Sequence, residues 1–451
     1  MSIKTILFAL YFLFCSGGAL FVPLLGILGY ILHYNLGPET KWWASPLNSL
    51  NIRYAYTLAA VTAIGMVFHW GKLHFGKSLL LRQEKLLLLF LGVVWLSVWI
   101  GPDTIERYTI VDHPSVKMIK IVIITLMMTH IIANLKHLDL VFWVLVVGAV
   151  ILGWQAYTTP RSAFASGRLN NVGGPDFAES NFLAAYLSAL LPVVAVQFLR
   201  SGWPGKLLSL VTGVLVVNTI VLTRSRGAVV GITAGVIVAM FSAPKKYRGI
   251  IGLGLVVFAA GGYYLTDPQF RERTATITRS EEQRDSSAQS RIELSKASWR
   301  ILVDHPLGIG AGNFYQTIGR YNENLAGKDA HNTYLRCGTE LGLQGILLFG
   351  FIIFHVFWQL RRDIKRIRNL PAGPVHDSLV LLGFSLTISV VILLGCCLTV
   401  SLLYVEFTWW LLCLPICLTR VIDNLEAELP AEPVAAGNPA KKPFEPKHEP
   451  V

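Results

Sequence analysis

Charged residues are scarce in this 451-residue chain, at 15%. A soluble chain carries about 25%, so the composition excludes an ordinary soluble domain. Paired cysteines are missing as well. Cys15, Cys396, Cys397, Cys413 and Cys417 sit in apolar runs, and only Cys337 falls near a polar segment. That leaves no pair outside a membrane for a disulfide and no Cys/His spacing for zinc. Packing is the role these residues fit. There is no Asp-x-Asp, which argues against the common metal–nucleotide-sugar site, and neither a GxSxG elbow nor an HExxH helix. The glycine-rich stretch "HPLGIGAGNFY" (305–315) lacks the lysine of a nucleotide loop and reads as a tight turn. No basic patch is interleaved with stacking aromatics, so nucleic acid is not an expected partner.

What is abundant is apolar sequence. Hydrophobic residues make up 53% of the chain and the mean hydropathy is +0.54. About twelve runs approach the ~20 residues that cross a hydrocarbon core. They fall at roughly 5–33, 54–70, 84–101, 117–134, 138–156, 181–199, 205–221, 227–242, 249–265, 341–360, 378–399 and 403–421. The expected fold is an all-α polytopic membrane protein of about 12 transmembrane helices, with a large helical external loop between spans 10 and 11. The nine runs within residues 1–265 make ten spans if 5–33 is two helices; a loop domain 266–340 follows, then the three runs of 341–421, taken as two further spans, and a disordered cytoplasmic tail 422–451. The run 5–33 is long enough for one helix, or for two broken at Gly17-Gly18. With no small-x-small site after it, it reads as an uncleaved span.

Lys and Arg in the short connections give the orientation. Lys72, Lys77, Arg82 and Lys85 fall on one side with Lys136, Arg200, Lys206, Lys245, Lys246, Arg248 and the run Arg361, Arg362, Lys365, Arg366 and Arg368. These alternate correctly if the first run crosses once and both termini are cytoplasmic. The 102–116 loop, with Asp103, Glu106 and Asp112, is then outside. The net charge of +12 is mostly an orientation device.

Polar residues at the outer face carry the candidate chemistry. Arg224 and Arg226 lie in the short turn "LTRSRGA" (222–228), against the positive-inside tendency. Interfacial snorkelling beside a carboxylate is one reading. An anion clamp is the other, since guanidinium forks match phosphate. Arg291, Arg161 and Arg168 are further cations on this side. A helix is expected over 286–303, capped by Ser286 or Ser287, with Ile292, Trp299 and Val303 on one stripe. In "KDAHNTYLRCGTELGLQG" (328–345), Asn332 or Thr333 can cap the helix that becomes the next span. The positive end of that helix disfavours an imidazolium at His331, and a neutral imidazole can act as a general base. Glu340 either bonds a neighbouring arginine or packs beside Gly338 and Gly342.

Three stretches in order carry a family resemblance: "SRGA" (225–228), "SRIELSKASWRILVDHPLGIGAGNF" (290–314) and "HNTYLRCGTELGLQG" (331–345). With "NFLAAYLSALLP" (181–192), the chain resembles the O-antigen ligase and polymerase superfamily over roughly residues 165–345. The resemblance implies an inverting membrane glycosyltransferase at the periplasmic face of the bacterial inner membrane. It implies a glycan donor on undecaprenyl pyrophosphate and, for a ligase, a lipid A–core acceptor. Polymerases transfer to another carrier-bound glycan, and other relatives to protein hydroxyls. By motif position Arg226 and Arg291 match the family's functional arginines and His331 its essential histidine. Arg224 rests on charge alone. The expected catalytic set is therefore His331, Arg226 and Arg291, with Arg224, Arg161, Arg168, Asn332 and Glu340 on the substrates, and with neither metal nor cofactor. A transporter or flippase is the competing class. No half-to-half repeat supports it, and His69, His130 and His355 inside spans read as hydrogen-bonded structural groups.

Overall fold

The computed structural model describes residues 2–73, 78–102, 108–165, 167–265 and 286–428. Lys77, Asp103, Glu106, residues 266–285 and residues 429–451 lie outside that set, as do the side chains of Ser286 and Ser287. The described chain is helical, and its main helices run α1 (Ile3–Ala19), α2 (Pro23–Leu36), α3 (Tyr54–Phe68), α4 (Arg82–Ile100), α5 (Pro114–Ile131), α6 (Leu135–Thr158), α7 (Ser180–Arg200), α8 (Trp203–Thr223), α9 (Arg226–Ser242), α10 (Arg248–Leu265), α11 (Ser286–Asp304), α12 (Phe314–Tyr321), α13 (Thr333–Arg368), α14 (Pro374–Cys397) and α15 (Glu406–Glu428).

Local chemistry sets many of the ends. Ser2 caps α1 by accepting from the Thr5 N–H, and Asn134 caps α6 by accepting from His137. Proline opens α2, α5 and α14, where its missing N–H costs nothing. Between lipid-facing helices, association relies on close packing rather than on hydrophobic burial. Gly231 of α9 and Gly395 of α14 illustrate it: a Cβ on Gly395 would fall 2.7 Å from the Gly231 Cα. Deeper in, Phe90 of α4, Phe349 of α13 and Trp409 of α15 meet with ring centroids 5.0 to 6.0 Å apart.

Among the described residues, seven helices are long and apolar enough to cross a membrane, or up to eight if α9 with the following Lys245–Val257, bent by 111°, is one span. This is fewer than the twelve runs of the sequence. The run 54–70 yields only 15 helical residues. The last run yields α15, whose second half carries Arg420, Asp423 and Glu426. That helix continues to Glu428, so residues 422–428 belong to it rather than to a tail.

Side-chain contacts sort the connections onto two ends of the bundle. One end gathers residues 37–53, 159–180, 224–226, 305–333 and 398–406. The other gathers 78–81, 131–135, 200–203, 243–248 and the last turn of α15. The first apolar run crosses differently from expectation. It breaks at residues 20–22, just beyond Gly17-Gly18, and α1 and α2 fold into an antiparallel hairpin, with Gly29 against Cys15 and Gly18 against Leu25. The Thr5 hydroxyl donates to Trp43 O at 2.5 Å, while Lys4 and Lys41 line the same groove. Residues 2–4 therefore share the first end, and the Arg366–Glu426 contact holds the close of α15 at the other. The expected single crossing is replaced by a hairpin, because the run pairs with itself, so residues 2–4 and the end of α15 lie at opposite ends of the bundle.

A small second core stands on the first end. Leu294, Ala297 and Ile301 of α11 pack with Ile309, Phe314, Ile318, Leu325 and Ala330. The stripe expected from sequence is a different one: Trp299 and Val303 are exposed. The glycine-rich turn docks this unit onto α13. Gly342 (φ 72°, ψ −170°) breaks that helix and releases its carbonyls. Thr339 O and Glu340 O accept from the N–H groups of Ile309 and Gly310 at 2.9 and 3.0 Å, and Pro306 O accepts from Leu343 at 2.8 Å. "PLGIG" is thus a clasp threaded into a helix break, not a nucleotide cradle.

Candidate active site

His331 sits one residue before the helix cap, with φ of 47°. A left-handed non-glycine residue is strained, and such strain gathers at functional positions. Asn332 is the cap: its side-chain oxygen accepts from the N–H groups of Tyr334 and Leu335 at 2.9 and 3.0 Å. The strain at His331 is held by Asp329, whose carboxylate accepts from the His331 N–H at 3.0 Å and lies 3.6 Å from Nδ1. The His331 side chain keeps 32% of its surface exposed, Asp329 only 12%.

Asp329 is itself tied down. Tyr315 donates to it at 3.1 Å, and the Arg336 guanidinium lies 3.4 Å away. Arg336 pairs in turn with Glu340 at 3.1 Å, one helical turn on, and stacks over the rings of Tyr315 and Tyr404. Burial works against the charge on Asp329, but Arg336, His331 and hydrogen bonds together outweigh it and hold the carboxyl below its usual range. Glu340, expected on a substrate or on a neighbouring arginine, is fully buried; it pairs with Arg336 and accepts from the Phe314 N–H. Cys337, expected near the surface, is likewise fully buried.

The arginine turn lies beside this network. Ser225 caps α9 and donates to Asn181 Oδ1 at 3.0 Å. Arg168 donates to Thr223 O at 2.9 Å and to the same Asn181 oxygen at 2.7 Å. Arg224 adopts φ of 49°, a second strained residue, and Arg226 follows as the first residue of α9; both are half-exposed. The α14–α15 connection joins the two halves. Asn332 donates to Leu398 O at 3.1 Å and Thr333 to Val400 O at 2.6 Å. Gly227 packs against Thr399 and Val400. Glu179 completes the link, in electrostatic contact with Asp329, His331 and Arg168. Its carboxyl is raised, first by loss of water around it and then by repulsion from Asp329, which exceed the pull of His331 and Arg168.

Arg291 lies on α11 next to Ser290, which accepts from Lys328 Nζ at 3.3 Å, three residues before His331. The segment of Arg291 therefore touches the His331 loop. Arg161 stands differently, on an exposed turn with its guanidinium 5.1 Å from the Phe164 ring centroid. Sequence reasoning missed Asp329, Tyr315, Arg336, Asn181, Glu179 and Tyr404. The spacing Asp-x-His and the i,i+4 pair Arg336/Glu340 were readable signals for three of them; the others meet only through the fold. Among the described residues, no three His, Cys, Asp or Glu side chains converge as a metal would require.

No curated protein matches the chain. Residues 211–350 match the family model described as O-Antigen ligase. The matched stretch contains the arginine turn, α11 and the His331 helix, whereas Arg168, Glu179, Asn181 and the 398–404 connection lie outside it. The arginine turn, α11 and the first half of α13 all fall within the matched residues, and over that stretch the chain is similar to the O-antigen ligase family.

Proposed function

We propose that the protein is an O-antigen ligase, moving a glycan from undecaprenyl pyrophosphate to a sugar hydroxyl of lipid A–core in the bacterial inner membrane. The observation that carries this reading is the shared clasp on residues 398–400, which brings a strained histidine and a strained arginine turn together at one end of a membrane bundle. The opposite end holds Lys245, Lys246, Arg361, Arg362 and Lys365, which by the positive-inside tendency supports a periplasmic His331 end and a cytoplasmic close of α15. The shorter or more polar helices α1, α2, α3 and α15 also cross, which brings the spans close to twelve, and residues 286–332 lie in the periplasmic loop.

In the reaction, His331 takes the proton of the acceptor hydroxyl. The oxygen attacks the anomeric carbon with inversion, and the bond to the carrier diphosphate breaks. Arg226 and Arg291 stabilise the charge that develops on the departing diphosphate, aided by Arg224. Diphosphate is a good leaving group, so these cations supply what a divalent metal supplies elsewhere, and chelation leaves the rate unchanged. Asp329 orients the imidazole and balances the charge it gains. Arg168 positions the arginine turn, and Asn332 holds the His331 helix.

Purified protein given carrier-linked glycan, with and without lipid A–core, tests the assignment. Transfer only in the presence of lipid A–core supports a ligase. Chain extension on the carrier alone makes it a polymerase, and transfer to a pilin-like protein makes it a protein O-oligosaccharyltransferase. Solute uptake into proteoliposomes without transfer removes the enzyme reading.

A further inference from the structure

One stripe of α13, near the end away from His331, carries Phe351, His355, Trp358 and Arg362. Spacings of four, three and four residues put them on one side of the helix. The Arg362 guanidinium lies over the Trp358 ring, 5.4 Å from its centroid. Arg82 reaches across from α4 and lies over Phe351 at 5.6 Å. His355 sits between these two cation–aromatic pairs, its ring 5.5 Å from that of Trp358.

The histidine was expected to be a hydrogen-bonded structural group. His69 and His130 are: the first contacts Gly65 O at 3.0 Å, the second Leu126 O and Leu79 O at 2.7 and 2.9 Å. His355 is 4% exposed, yet neither ring nitrogen has a hydrogen-bond partner among the described residues. It also interacts electrostatically with both Arg82 and Arg362. The cations lack a dedicated carboxylate. Arg362 Nε is 4.0 Å from Asp363, but that carboxylate is fully buried and bonded by Arg366 and Thr419. Among the described residues Arg82 makes no ion pair. A buried polar group in this state calls for a partner, whether water, ion or bound molecule. The surrounding surface is apolar and outward-facing, with Leu347, Phe354 and Trp358 all exposed.

We propose that Arg82, Arg362 and His355 bind the phosphate of an anionic phospholipid in the leaflet opposite the His331 site. The two guanidiniums supply forks for phosphate oxygens, and the aromatic rings hold those forks at the membrane interface. His355 is the remaining donor between them, and the exposed apolar side chains meet the acyl chains. The site does not depend on the transfer reaction.

Native mass spectrometry of the full chain in detergent, with added phosphatidylglycerol, phosphatidylcholine or inorganic phosphate, tests this. The unmodified protein retains phosphatidylglycerol over phosphatidylcholine. In Arg82→Gln with Arg362→Gln, retention weakens about 30-fold, the effect of two near-surface cations. The charge-matched control Arg361→Gln with Lys365→Gln, two exposed neighbours on α13, keeps retention within about twofold. If the first pair fails to fold, the single Arg82→Gln variant reads a loss of about fivefold. Equal loss in both pairs, equal retention of phosphatidylcholine, or displacement by equimolar inorganic phosphate would each overturn the proposal.

Discussion

The two ends of the bundle hold charge clusters built from the same ingredients. At the end away from the site, Arg420 and Glu84 are fully buried and pair at 2.8 Å. The Arg420 guanidinium also donates to Ser78 O and Leu79 O, while Glu84 accepts from Thr129 and from the Leu81 N–H. At the site end, Asp329, Arg336 and Glu340 are locked in a comparable way, but His331 emerges from the lock strained and half-exposed. A cluster closed on itself is a strut, costly to break and inert. A cluster that holds strained side chains toward open space has work to do beyond stability.

Four substitutions sharpen that contrast. His331→Ala should cut glycan transfer by about 10²–10⁴-fold, the worth of a positioned base, with an unchanged melting temperature. Transfer retained by a stable His331→Ala protein would remove the base assignment. Breaking the strut does the reverse. Glu84→Ala leaves Arg420 buried without its carboxylate and should lower stability by about 3–5 kcal/mol, seen as a large fall in melting temperature. Unchanged melting would mean that the pair is not a strut.

Asp329→Ala lies between these two. Losing its bond to the His331 N–H should lower kcat about 10–100-fold, with little change in the KM of either substrate. A rise in KM alone would make Asp329 a binding group instead. Glu179→Gln should have the smallest effect. Because its carboxyl titrates above the usual range, Glu179 is neutral at low pH and gains charge as pH rises through its raised value. That charge opposes a diphosphate, so donor KM should rise with pH over this window by about two- to fivefold, as for a weakly screened pair. The Gln variant should show no such step, and a variant that keeps it would clear Glu179 of the effect.

Much of this architecture was legible in the chain. Apolar runs announced the helices, and the order of Ser-Arg-Gly, Arg291 and His331-Asn332 marked the stretch that the family model matches, since each motif is local. What stayed hidden depends on distant partners. The α1–α2 hairpin rests on contacts such as Gly29 with Cys15, which a hydropathy run cannot encode. The role of Thr333 requires Val400 and Leu402, nearly seventy residues away. A bond from Glu340 to a neighbouring arginine was one of the readings its position allowed, but the depth at which it pairs with Arg336 was not visible in the chain.

The central claim is that a carrier diphosphate binds between the arginine turn and His331. Determining the structure of the protein with undecaprenyl pyrophosphate bound tests it most directly. The account predicts phosphate density bordered by Arg226, Arg291 and His331 and flanked by residues 398–400. Density at the opposite end of the bundle, or in a cavity that excludes His331, would contradict it.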